Sequence, residues 1–238
     1  MLKIDHLTKH YPGSDKGVTD LTLNISAGDL YAFIGHNGAG KTTTLKAICG
    51  IHSFDSGEIL VDGTDVKKNM LSAKRKMAYI PDNPNLFEYL TGIQYLNFIS
   101  DVFALSAEER KDRIKKYSDA FEITPSLGDL ISTYSHGMKQ KLAIISALIH
   151  TPRLLILDEP FVGLDPKAAL TLKEFMRDLC KNGGAVFFST HVLEVAEKLC
   201  NKVAIIKDGR LVVAGTMSEV VTDGSSLESI FMEVAVNE

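Results

Sequence analysis

The stretch AFIGHNGAGKTTTLKAICG, Ala32–Gly50, decides the fold. An apolar run gives way to Gly35, Gly38 and Gly40, and a lysine and three threonines follow at once. Glycines let the backbone take left-handed angles and bring N–H groups close to an anion. A helix opening directly afterwards adds partial positive charge at the same place. Gly35-x-x-x-x-Gly40-Lys41-Thr42 fits the P-loop pattern, with His36, Asn37, Gly38 and Ala39 completing the nucleotide-binding loop. Lys41 is expected to reach the β- and γ-phosphates of a nucleoside triphosphate, the Thr42 hydroxyl to bind Mg²⁺, and Thr43 to touch the α-phosphate. Kinases, GTPases and motor ATPases all share this loop, so the class stays open on this evidence.

Working outward, LYAFIG reads as a buried strand and TTTLKAIC as the helix after it, stopped by Gly50. Before it, LKIDHL (Leu2–Leu7) and LTLNI (Leu21–Ile25) alternate and predict antiparallel strands. After it, GEILVDGTDV predicts a strand ending in an Asp62–Gly63 turn, and KMAYIP a short strand closed by proline. From about Thr91 to His150 the apolar spacing becomes helical, which predicts a helical insertion. RLLILDEP and AVFFST restore buried strands, each followed by a helix; Asp165 is placed to cap the first of these, with Pro166 at its first position. VAIIKDGRLVVAG predicts a hairpin through Asp208–Gly209, and a short helix around Leu227–Val234 ends the chain. Strands alternating with helices imply an α/β fold with a mostly parallel, doubly wound sheet. The expected organisation is a domain over 1–224, with a core of 1–87 and 151–224, a helical subdomain of 88–150 and a tail of 225–238.

A chain of 238 residues with 45% hydrophobic content can bury a core without disulfides or metals. Its net charge of −4 gives no basic excess, so a nucleic-acid partner is not expected. Cys49, Cys180 and Cys200 are odd in number and widely spaced, which argues against a disulfide framework or a zinc site. MLKIDHLTKHYPG has no apolar h-region, and no apolar run approaches the roughly 18 residues that span a bilayer.

Three further stretches carry chemistry. LLILDEP ends a buried strand in two carboxylates, Asp158 and Glu159. Successive strand side chains point opposite ways, so one would suit Mg²⁺ through a water and the other a water attacking the γ-phosphate. In STYSHGMKQK, Ser135 and Gly137 open a helix whose start carries no carboxylate, a setting that suits an anion. His191 follows a buried strand directly, where ligands of α/β sheets bind.

In order, these are a P-loop, a serine–glycine helix start, DEP, GLDP and a histidine after a strand. The series resembles the ATP-binding subunit of an ABC transporter, a P-loop NTPase core with an N-terminal antiparallel β part and an inserted α-helical subdomain, over about Leu2–Gly215. The resemblance implies ATP and Mg²⁺ as cofactors, Glu159 as general base, Asp158 on the metal side, and His191 as the switch histidine. Tyr11 would stack on adenine. Ser135, His136, Gly137 and Met138, in YSHGM, stand where the family has LSGGQ and would meet ATP held by a second copy. GLDP, with Asp165, would connect the two sites. His136 and Met138 depart from that signature, and Asp82 in YIPDNP replaces a usual glutamine near Mg²⁺. Asp82 is still expected to approach the metal, through water.

The same resemblance implies a head-to-tail dimer with an identical or homologous subunit and a membrane-spanning permease, export rather than import, and a place on the cytoplasmic face of the membrane. Phe87 and Tyr89 in NPNLFEYLTG are expected to be exposed for the permease. A soluble assembly ATPase, as in iron–sulfur assembly, is the alternative. A bare binding module is a third reading, disfavoured because binding alone needs no base.

Overall fold

A computed structural model describes residues 1–13, 16–222 and 224–236. Two sheets form the core, and their order follows from where the apolar runs fall. The first is antiparallel. β1 (Leu2–His10) lies between β2 (Gly17–Ile25) and β4 (Ser56–Val61), and β5 (Thr64–Asp65) completes the order β2-β1-β4-β5. Alternation sends Leu2, Ile4, Leu7, Leu21, Leu23 and Ile25 into the core. β1 runs further than its alternating stretch suggests, because register shifts between Ile4 and Leu7 and again before Lys9 carry it on to His10. His6 sits at the bulge with φ 50°.

The second sheet has six strands in the order β10-β9-β3-β8-β7-β6. Its central strands β3 (Leu30–Ile34), β8 (Ala185–Thr190) and β7 (Leu154–Asp158) are buried at every position, as a parallel sheet covered on both faces requires. β6 (Met77–Ile80) closes one edge in parallel. β9 (Lys202–Lys207) joins β3 in parallel and turns through Asp208–Gly209 into antiparallel β10 (Arg210–Thr216). The predicted mixed α/β architecture is therefore present.

The helices follow their strands. α1 (Lys41–Ile48) leaves β3 through the glycine loop. α6 (Pro166–Lys181) is capped by Asp165, whose Oδ1 accepts from Ala168 N at 2.8 Å. α7 (Leu193–Leu199) follows β8. α2 (Met70–Lys76) has no counterpart in the sequence reading. It opens on Asn69, whose side chain accepts from Ser72 N. The insertion holds α3 (Gly92–Val102), α4 (Ala107–Ala120) and α5 (His136–Leu148). Thr91 and Ser106 begin the first two with reciprocal capping boxes through Gln94 and Glu109. Leu96, Ile114, Phe121 and Ile145 from this insertion share one core with Leu155, Leu157 and Phe188 of the sheet. A short α8 (Met217–Val220) precedes α9 (Leu227–Val236), so the expected C-terminal helix is present, while Asn237 and Glu238 of the predicted tail lie outside the described residues. Cys49, Cys180 and Cys200 are free and buried. Among the described residues no helix is long and apolar enough to cross a membrane.

Candidate nucleotide site

β3 delivers the chain to a cavity of about 360 Å³ lined by His36, Asn37, Gly38, Gly40, Lys41, Thr42 and Thr43 together with Tyr11, Asp82, Asp158 and Glu159. Gly40 is the N-cap of α1 with φ 107°, a conformation that L side chains avoid, and an added Cβ would stand 2.9 Å from the Gly17 carbonyl oxygen. No side chain caps α1 and no acid occupies its first turn, so its leading N–H groups keep their positive end for a ligand. Gly35 and buried Ala39 stand behind the cavity wall rather than on it.

Lys41 is buried and folded back: Nζ donates to the carbonyls of Gly35 at 2.6 Å and His36 at 3.2 Å, and lies 4.0 Å from Glu159 Oε1. Desolvation lowers its pKa, against the pull of Glu159 and Asp158. Both partners are neutral carbonyls, weaker acceptors for an ammonium than a charged oxygen.

Asp158 and Glu159 both face the cavity. The alternation expected of a strand fails because β7 ends at Asp158 and Glu159 turns left-handed with φ 48°. The turn brings the second carboxylate to the same side as the first. Asp158 is buried, accepting from Thr42 Oγ1 at 2.7 Å and Ser189 Oγ at 2.5 Å. Ser189 Oγ also accepts from Glu159 N at 3.0 Å, so this one hydroxyl sets both acids. Glu159 Oε2 lies 2.9 Å from Nδ1 of the largely exposed His191. Thr42 Oγ1, Asp158, Glu159 and Asp82 present only oxygen donors, the hard ligands a Mg²⁺ ion takes. Tyr11 stands at the rim; its hydroxyl bonds His52 Nδ1 at 2.9 Å and Thr43 Oγ1 at 3.3 Å.

The serine–glycine turn stands apart from this cavity. Ser135 Oγ accepts from Met138 N at the head of α5, whose first turn carries no acid. Met138 packs on the core, and the His136 ring covers Gly163 so closely that a Cβ there would lie 2.5 Å from His136 Cδ2. Gly137 has the same neighbour: an added Cβ would meet the Gly163 carbonyl oxygen at 2.8 Å. Lys141 Nζ reaches Asp165 Oδ2 at 2.7 Å, and this ammonium holds the Asp165 carboxyl below the usual carboxylate range. The head of α5 is therefore clasped to the loop that follows Glu159.

Sequence reading missed Ser189, whose only signal was a hydroxyl, next to that of Thr190, at the end of an apolar buried strand. It also missed Lys16 and Gly17, which line the cavity from β2's approach.

A second concavity runs between the sheet and the insertion. Two adjoining cavities of about 320 and 270 Å³ share Ile51, Tyr79, Tyr95 and Ser146. Beside them, Phe87 and Tyr89 are exposed as expected, and Phe87 contacts Tyr95 and Phe98 edge-on. Glu88 ties this loop to α5 through Lys139 at 2.5 Å.

The family model described as "ABC transporter" matches residues 18–162. The linearmycin resistance ATP-binding protein LnrL of Bacillus subtilis is 34% identical over 92% of this chain and 70% of its own length. The bacitracin transport ATP-binding protein BcrA of Bacillus licheniformis is 35% identical over 89% of this chain and 68% of its own. A solved ATP-binding subunit of an ABC transporter, 33% identical, superposes with a TM-score of 0.94 over 99% of both chains. The chain belongs to the ABC transporter family, among its ATP-binding subunits.

Proposed function

We propose that this chain hydrolyses Mg²⁺-bound ATP in a head-to-tail pair and thereby drives export through a separate membrane-spanning permease. The observation that carries the reading is the division of the site. One cavity gathers the phosphate loop, two carboxylates and a histidine-linked base, while the anion-suited turn at Ser135 stands outside it. A second chain, identical or homologous, would supply Ser135, His136, Gly137 and Met138 to ATP held on this one, with Asp165 linking the two sites. Within 1–224, the core over 1–87 and 151–224 would hold the nucleotide and 88–150 would present the signature turn.

Each side chain then has a task set by its place. Tyr11 would stack on adenine. His36, Asn37, Gly38 and Gly40 would offer backbone to the phosphates, with Gly35 and Ala39 completing the loop behind them, Lys41 would balance charge on the β- and γ-phosphates, and Thr43 would meet the α-phosphate. Thr42 and Asp158 would hold Mg²⁺, with Asp82 reaching it through water; the ion supplies charge neutralisation at the β- and γ-phosphates. Glu159 accepts the proton of the attacking water, and His191, 2.9 Å away, orients that carboxylate. The permease would dock at the Phe87–Tyr89 face and the adjoining groove, and the chain would lie on the cytoplasmic face of the membrane. Two relatives, a linearmycin resistance protein and a bacitracin transport protein, support a transport role over a soluble assembly role.

Glu159→Gln is the test. It should lower phosphate release by about 10²- to 10⁴-fold while ATP still binds. Retained turnover in this variant would remove Glu159 as base and with it the proposed mechanism.

A further inference from the structure

The C-terminal helix α9 touches the nucleotide loop itself. The ring of Phe231 lies 4.8 Å from the His36 imidazole, centroid to centroid, tilted by 46°. His36 is the first residue after Gly35, and its carbonyl is one of the two that hold Lys41. α9 is anchored independently of this contact. Leu227 is fully buried, its N–H donates to Glu197 Oε2 at 2.8 Å, and Lys207 Nζ donates to the Val234 carbonyl at 3.0 Å. Glu197 belongs to α7, the helix that begins just after His191, and Lys207 ends β9. Two residues beyond Lys207, Gly209 N donates to the Ala39 carbonyl at 3.0 Å. The loop is thus held from one side at Ala39 by the β9–β10 turn and from the other at His36 by α9.

We infer that Phe231 is a positioning residue for ATP binding, acting through His36 to limit the glycine loop before the phosphates arrive. The inference rests on the nucleotide reading above. A loop with three glycines loses more backbone freedom on ordering than a loop of the same length without them. Gly38 is exposed at φ 86°, with no atom within 4 Å of where a Cβ would stand, and the loop turn around it is closed by one backbone hydrogen bond, Ala39 N to the His36 carbonyl at 3.1 Å. A side-chain contact on His36 removes part of that freedom in the free protein, and a ligand then meets a loop already near its bound shape. Phe231 touches no reacting atom; its effect belongs to affinity, not to the chemical step.

The full chain is titrated with a fluorescent ATP analogue in Mg²⁺, and phosphate release is measured alongside. Phe231→Ala should raise the dissociation constant by about 2- to 10-fold, with turnover at saturating ATP changed by less than about twofold. Phe231→Tyr, which keeps the ring, should restore affinity. Phe231→Leu keeps apolar bulk against the core, and should still bind more weakly than the native chain if Phe231→Ala does not fold. His36→Ala should lose a similar factor, and the double variant no more than either single one. Native affinity in Phe231→Leu, or additive losses in the double variant, would overturn the inference while leaving the ATPase reading intact. Failure of the native chain to bind the analogue would instead overturn both.

Discussion

Acid should find one weak point in the insertion, and replacing His150 by phenylalanine should remove it. The His150 ring stacks face to face on Phe103, centroids 3.7 Å apart with parallel planes. Its Nδ1 is buried without a hydrogen-bond partner among the described residues. Burial holds the imidazole at about 4, against an ordinary 6.5. The unfolded chain therefore binds a proton that the folded chain refuses, and stability falls as pH drops below 6.5, levelling off below about 4. At about 1.4 kcal/mol per pH unit of separation, the penalty is about 2 kcal/mol at pH 5 and about 3 kcal/mol once complete. For a chain of this size, 2 kcal/mol corresponds to roughly 4–8 °C in melting midpoint. Phenylalanine preserves the stack and removes the titration, at a cost at neutral pH of about 1.5 kcal/mol or less. Urea denaturation of both proteins at pH 7.5 and pH 5.0, followed by circular dichroism, isolates the difference. Parallel loss of stability in the two proteins would refute the argument, because the acid sensitivity would then come from other groups.

Two further outcomes test the clasp between α5 and the loop after Glu159. Gly137→Ala should fold and bind ATP but lose ATP-dependent dimerisation in the Glu159→Gln background, measured by size-exclusion chromatography, because its Cβ would meet the Gly163 carbonyl at 2.8 Å. Asp165→Ala should cost about 1 kcal/mol in chemical denaturation through the lost cap, whereas Asp165→Asn, which keeps a capping oxygen, should cost much less.

The fold was legible wherever one local signal dominated. The largely apolar runs of β3, β7 and β8 announced a buried sheet, and Asp165–Pro166 announced the start of α6. α2 escaped because its apolar positions are few and its cap, Asn69, sits inside a lysine-rich stretch. At the site, the P-loop and both carboxylates were legible as residues, but their arrangement was not. Nothing in LLILDEP announces that Glu159 turns left-handed, and the hydrogen-bond partner of its N–H, Ser189, lies thirty residues further along the chain. The seating of His136 over Gly163 and of Phe231 against His36 joins distant parts of the chain, which no local pattern encodes.

α5 has a consequence of another kind. Its 13 residues make a rod about 20 Å long, stiffened by the buried Leu142, Ile144, Ile145 and Leu148. Ser135 stands at one end, and Ala143, Ser146 and Ala147 face the groove near the other. A tilt of about 10° pivoting at the Ser135 end sweeps the groove end through about 3.5 Å. The molecule thus has a mechanical shaft running from the surface where a neighbour's nucleotide would press to the surface where a membrane protein would rest. A single peptide segment can carry that stroke, with no relay of rearranging side chains between.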